Sequence, residues 1–222
     1  MSVAFDSVLL KQVSGSTTSF TTGAWTIGST ANRMALVHIV ILAPSTSITA
    51  VTIGGVSGFA VSGADSGDTN NAHLTMWAVF NPPSGSQTAT ITISPAAIVV
   101  VGVIVANGVD QLTGVNNGTF KNQAITAISL PVTSQLGDLT STMIYDIGGG
   151  TPSSNFTVKW GASLETDFRG GDIGPGTATP THIWTGSLNG AKSAVGANFI
   201  AFNITPITGL GKRMQSVIYS QG

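Results

Sequence analysis

Glu165 and Asp167 are the side chains best spaced for covalent chemistry. On an extended strand, residues i and i+2 share a face with their Cα atoms about 6.6 Å apart. Hydrolysis of a glycan needs two carboxyl groups roughly 5 to 9.5 Å apart. Both residues fall where a strand would run into a glycine-rich stretch, and solvated carboxylates are ordinary there. A glycan hydrolase is therefore the least favoured reading, and no catalytic residue is assigned. His38, His73 and His182 are isolated from one another, with no HxH or HExxH spacing, so no metal or cofactor is expected. His38 shares a strand face with Leu36, Val40 and Leu42, the setting of a hydrogen-bonded core histidine. No GxSxG elbow and no GxxxxGK[ST] loop occurs.

Two polar stretches could bind rather than react. Residues 62–71, SGADSGDTNN, read as a loop whose Asp65, Asp68, Asn70 and Asn71 offer oxygen ligands, without the spacing or the bidentate glutamate of an EF-hand. Residues 169–180, RGGDIGPGTATP, read as a long glycine-rich loop carrying Asp172. Trp25, Trp77, Trp160 and Trp184 could form a sugar-stacking platform if they stood in the open. Trp77 lies inside an apolar strand and Trp160 on an apolar strand face, so both read as packing. Trp184 precedes a turn signal and is expected to be exposed. Trp184, Asp65, Asp68 and Asp172 are thus the candidate contacts of a carbohydrate-binding alternative.

These residues must be positioned by strands. Residues 74–80 form a strand ended by NPPSG, residues 88–93 alternate threonine with Ala89, Ile91 and Ile93, and residues 96–106 run apolar without interruption. Alternation marks a half-buried strand, whereas a continuous β-branched run marks one covered on both faces. Further strands are expected at residues 3–11, 17–27, 34–42, 48–53, 59–61, 124–132 and 139–147. Residues 156–165 alternate, with Trp160 on the apolar face. Residues 181–188 and 191–204 are expected to form a hairpin turned by Asn189 and Gly190, the dipeptide that suits a type I′ turn. Residues 148–152, GGGTP, are the clearest break in the chain. No stretch keeps helical periodicity over three turns. The expectation is an all-β antiparallel sandwich or jelly roll over residues 1–206, with a C-terminal arm over residues 207–222.

Charge is the unusual feature of the composition. Asp, Glu, Lys and Arg make up 8% of the 222 residues, against about 25% in an ordinary soluble domain. Mean hydropathy is +0.35. Such a surface is poor in groups that keep a protein monomeric. A net charge of -1 supplies no footprint for nucleic acid. With no cysteine the fold rests on packing alone. No signal peptide is expected from the first fifteen residues, MSVAFDSVLLKQVSG, and the longest apolar run is far short of the roughly 20 residues of a membrane helix. Aromatic residues are not grouped into the girdles of an outer-membrane barrel.

The succession NRMALVHIVI, VTIGG, MWAVFNPPSG, TATITIS, VVVGVIVANGVDQ, GDL and AVGANFIAFNI, spanning about residues 5–206, resembles a β-sandwich domain of phage virion proteins and bacterial surface proteins. The resemblance implies a lectin-type jelly roll serving as a decoration, fibre or adhesive module, with no shared catalytic residues. Together with the low charge it leads to the expectation of a non-enzymatic virion structural protein, a capsid decoration or other surface component assembled in the host cytoplasm. It would associate with itself, as a homotrimer, and with partners such as the major capsid protein. Val217, Ile218 and Tyr219 at the end of the arm are expected to contact a neighbouring subunit.

Overall fold

Two aliphatic strands lie at the centre of the molecule. In the computed structural model, which describes residues 2–43, 45–69, 72–115, 118–146, 153–161, 168–175, 177 and 179–202, every residue of β4 (Met34–Ile41) is buried. So is every residue but the last of β11 (Val99–Asn107). They pair in the middle of a five-stranded sheet of order β1-β11-β4-β8-β7, with β1 at Ala4–Val13, β7 at Phe59–Thr69 and β8 at Ala72–Phe80. Side chains alternate across this sheet, and both faces are apolar. Val37, Ile39, Ile41, Val101 and Val103 meet Val51, Ile53, Ile91 and Ile93 of a second sheet. That sheet has the order β2-β10-β5-β6, with β2 at Thr17–Thr21, β5 at Ser47–Ile53, β6 at Val56–Ser57 and β10 at Ala89–Ala97. A short ribbon of β3 (Trp25–Ile27) and β9 (Gly85–Gln87) flanks it.

On the other face, Leu36, Val40, Leu74, Met76, Val100 and Ile104 meet Met143, Val195, Ala197 and Phe199 of a third sheet. Its order is β12-β17-β13-β16-β15, with β12 at Thr119–Pro131, β13 at Leu139–Asp146, β15 at Thr157–Trp160, β16 at Phe168–Pro175 and β17 at Thr181–Phe199. β14 (Ser153–Ser154) pairs with the first half of β17, opposite Trp184 and Thr185. The sheet therefore curls almost into a barrel. All pairings are antiparallel, and the described residues contain no helix. Each fully buried Val, Leu or Ile is worth roughly 1.5–3 kcal/mol over exposure, and the central strands collect this on both faces.

Four expectations are corrected. The apolar run over residues 96–106 is not one strand: β10 ends at Ala97, Ile98 is partly exposed, and β11 begins at Val99 in a different sheet. Residues 62–69 are not a loop but the second half of edge strand β7, whose register shifts at bulges between Ala60 and Asp65 and between Asp65 and Asp68. Gly63 and Gly67 have φ of 81° and 61°, so these glycines serve bulges, not a chain reversal. Residues 169–175 belong to strand β16. Its glycines clear space for aromatic rings, since a Cβ on Gly171 would lie 2.2 Å from the Trp160 indole nitrogen and one on Gly174 2.9 Å from Phe156. Finally, Asn189 and Gly190 do not turn a hairpin. β17 is continuous, and the extra residues are taken up where its register against β12 shifts between Ile125 and Ala127. The break at residues 148–152 and the arm over residues 207–222 lie outside the described residues.

Candidate functional site

The curled sheet encloses a polar cluster. Strand periodicity sends Thr140, Thr142, Ile144 and Asp146 of β13 to its inner face, with Asp172 of β16 and His182, Trp184, Lys192 and Ala194 of β17. Asp172 accepts hydrogen bonds from Thr142 Oγ1 at 2.6 Å, from Thr142 N–H at 3.2 Å and from the Ser154 hydroxyl, and pairs with His182 Nδ1 at 2.9 Å. His182 Nε2 lies 2.9 Å from Thr140 Oγ1. Trp184 Nε1–H donates to Thr142 Oγ1 at 2.9 Å. The order of atoms, carboxylate to imidazole to hydroxyl, is that of a nucleophilic triad. Thr140, His182 and Asp172 are nevertheless wholly inaccessible, and the Phe156 ring stands edge-on to His182 with centroids 4.6 Å apart. Thr140 has no exposed surface, and the contacts among these groups are those of a satisfied core network. Lys192 Nζ lies 3.1 Å from Asp146 Oδ1, both buried, so their charges are compensated within the same layer.

A second polar chain stitches the central and third sheets. Trp160 Nε1–H donates to His38 Nδ1 at 2.8 Å, which fixes the tautomer with the proton on Nε2. His38 Nε2 faces Ser141 Oγ at 3.1 Å, and Ser141 donates to the Asp172 carbonyl at 2.8 Å. Burial strips the imidazolium of water and lowers the His38 pKa from 6.5 to about 3, against the pull of the Asp172 charge. The Trp160 ring fits only because Gly102 interrupts the valines of β11: a Cβ there would sit 2.3 Å from the indole Cδ2.

The accessible polar site is elsewhere, at the open margin of the second sheet. On β8, His73, Thr75 and Trp77 follow at every second position and so share the face that looks towards that sheet. Thr75 is buried, and over His73 the cover ends. A cleft of about 210 Å³ results, lined by Ser47 and Ile48 of β5, Ala60 and Asp65 of β7, and His73, Thr75 and Trp77 of β8. Asp65 Oδ1 lies 2.8 Å from His73 Nε2 and accepts from the Gly67 N–H at 2.7 Å. The bulge at Gly67 is what turns that N–H onto the carboxylate. Partial burial favours the neutral acid, but hydrogen bonds from His73, Gly67 and Thr75, with the charge of the imidazole, outweigh it and hold the Asp65 pKa below 3.8. Its side chain is 49% exposed and that of His73 17%, so the carboxylate is charged and reachable.

The structure divides the candidate residues. Trp184 is not exposed as expected: it is fully buried in the curled sheet, because β14 and β12 pair on either side of it. Asp172 is likewise buried, on a strand and not in a loop, so neither can meet a glycan. Asp65 is exposed but sits on β7. Asp68 also lies on β7, in register with His73 of β8, while its side chain lies outside the described residues. Glu165, Asp167, Asn70, Asn71, Val217, Ile218 and Tyr219 also lie outside them. His38 and Trp160 are hydrogen-bonded core residues. Trp77 packs in part against the core and is among the residues that line the cleft. His73 and Thr75 were legible as candidates in one respect, their period-two spacing with Trp77 in HLTMW. Among the described residues no cluster of His, Cys, Asp or Glu has the geometry of a metal site. Comparison of the chain with protein-family models, with curated proteins and with solved structures gives no match.

Proposed function

We propose that the chain is a non-enzymatic structural protein of a phage virion, a capsid decoration or other surface component, and that it associates with copies of itself. The observation that carries this reading is a charge-poor sheet edge with which no described strand pairs. β12 pairs with β17 along one side, and among the described residues no strand pairs with its other side. Over its thirteen residues it has a single charged side chain, Lys121, while Phe120 and Ile125 are 53% and 40% exposed. Monomeric proteins guard long edges with charge, proline or a covering loop. The start of β12 lies against β7, where the Asn122 amide donates to the Ser66 carbonyl at 3.4 Å, and Pro131 ends the strand; the stretch between them carries no charged side chain and is suited to pairing with another subunit.

The topology supports the same reading. With the edge strand β7 and the ribbon of β3 and β9 set aside, eight strands in chain order, β1, β2, β4, β5, β6, β8, β10 and β11, fall into the facing rows β1-β11-β4-β8 and β2-β10-β5-β6. The first lies beside the eighth, the eighth beside the third and the third beside the sixth; opposite, the second lies beside the seventh, the seventh beside the fourth and the fourth beside the fifth. For those eight strands the order matches the one expected of a jelly roll, an architecture of capsid and lectin domains, and so supports the reading. The third sheet covers the face of the row that would otherwise be wet. Leu112 and Leu136, 91% and 90% exposed, add further apolar surface for a neighbour such as the major capsid protein. The test is particle composition. Virions induced from cells whose genome carries the coding sequence should contain the chain in a fixed ratio to the main shell protein by quantitative mass spectrometry. Its absence from purified particles overturns the proposal.

A further inference from the structure

We infer that the cleft between Asp65, His73 and Trp77 is a binding site for one neutral pyranose unit of a glycan. The inference stands independently of the virion reading. An ionised carboxylate accepts hydrogen bonds from sugar hydroxyls, and an indole wall offers a flat apolar surface to the C–H face of a pyranose. Both are present in one opening, with the Thr75 and Ser47 side chains at its lining. His73 Nε2 at 2.8 Å and the Gly67 N–H at 2.7 Å hold one carboxylate oxygen, Oδ1, and fix the orientation of the group before a ligand arrives. Preorganisation of this kind lowers the cost of binding. Half of the Asp65 side chain still faces solvent, and the two contacts on Oδ1 leave part of a carboxylate's roughly four lone-pair sites for a ligand.

Size and charge select the ligand class. The volume of about 210 Å³ is below the roughly 300–1,000 Å³ of sites that engulf a drug-sized molecule, so a single ring enters and the rest of a glycan stays in water. The fixed negative charge of Asp65 excludes anionic sugars such as uronic and sialic acids, which would meet an unpaired like charge. A site this shallow gives one ring a Kd of order 1–100 mM. Repetition of the cleft on a self-associated protein would raise the effective affinity without new contacts.

Saturation-transfer NMR on the full chain tests this, because it observes the ligand and is not limited by the size of an oligomer. Glucose, galactose, mannose and N-acetylglucosamine are the probes, with glucuronic acid as the anionic comparison. At least one neutral sugar should show saturable transfer, strongest on the protons of one ring face. Asp65→Asn, which keeps the shape of the side chain, should weaken it at least about tenfold. Asp110→Asn, at an exposed carboxylate remote from the cleft, should leave it unchanged, and the amide spectra of both variants should confirm folding. No saturable transfer from any neutral sugar, equal binding by Asp65→Asn, or preference for glucuronic acid each overturns the inference.

Discussion

Replacing His38 by glutamine should remove about 2 kcal/mol of the pH dependence of stability that the wild-type chain shows between pH 7 and pH 5. In the folded protein the His38 pKa is lowered from 6.5 to about 3. Between those values the unfolded chain binds a proton at this position and the folded chain does not, so stability rises with pH and falls on acidification. The slope is about 1.4 kcal/mol per pH unit, which gives about 2 kcal/mol lost between pH 6.5 and pH 5 and about 5 kcal/mol over the whole window. A glutamine side chain can accept from Trp160 and donate to Ser141 as the imidazole does, without a proton to gain. Asp65 and Asp110, whose pKa values are held below 3.8, contribute stability that is present above that value and lost only as the pH falls through their folded values, outside the range used. His73 and His182 are common to both proteins and cancel in the comparison. Urea unfolding followed by tryptophan fluorescence, at pH 7 and pH 5 and one protein concentration, should show a loss on acidification smaller by about 2 kcal/mol in the variant. Equal losses in the two proteins would refute the neutral, buried state assigned to His38.

Gly102→Ala should destabilise the fold by about 1–3 kcal/mol through overpacking against Trp160 and alter the near-ultraviolet circular dichroism of that indole; an unperturbed variant would mean the ring does not fill this space. Lys192→Met should cost about 3–5 kcal/mol by removing one partner of a buried ion pair, and Asp146→Leu in the same chain should recover part of it, as read in a double-mutant cycle of urea midpoints. Phe120→Lys with Ile125→Lys should place two charges on the open β12 edge and reduce the mass in solution while leaving the far-ultraviolet spectrum unchanged; an undiminished mass would remove that edge from the assembly contact.

The central sheet was readable in the sequence because its chemistry is one-dimensional. MALVHIVI and VVVGVIVAN carry no polar alternation, and only cover on both faces accounts for that. His38 was readable for the same reason, as one imidazole on a face of Leu36 and Val40. What the chain hid were places where polarity or glycine served packing. SGADSGDT has the composition of a loop, yet lies on an edge strand where one side of the ladder is free and bulges absorb the glycines. In β16 the glycines answer to Trp160 and Phe156, partners distant in sequence, so a local reading sees only flexibility. Trp184 was placed outside because Asn189 and Gly190 resembled a turn. Pairing of β17 with β12, β13 and β14 overrides that local preference and closes the curled sheet around the indole. The cleft needed both levels: the period-two run of His73, Thr75 and Trp77 is local, but Asp65 reaches it only through the bulged register of β7 against β8.

Sedimentation velocity of the full chain, across a wide range of concentration at physiological salt, bears most directly on the proposal that a charge-poor surface and a bare β12 edge exist to be covered by other copies. The predicted result is a discrete homo-oligomer, with a trimer as the expected stoichiometry, that gives way to smaller species when Phe120 and Ile125 carry lysine. A single monomeric boundary of 22.5 kDa that persists at the highest concentration would contradict it.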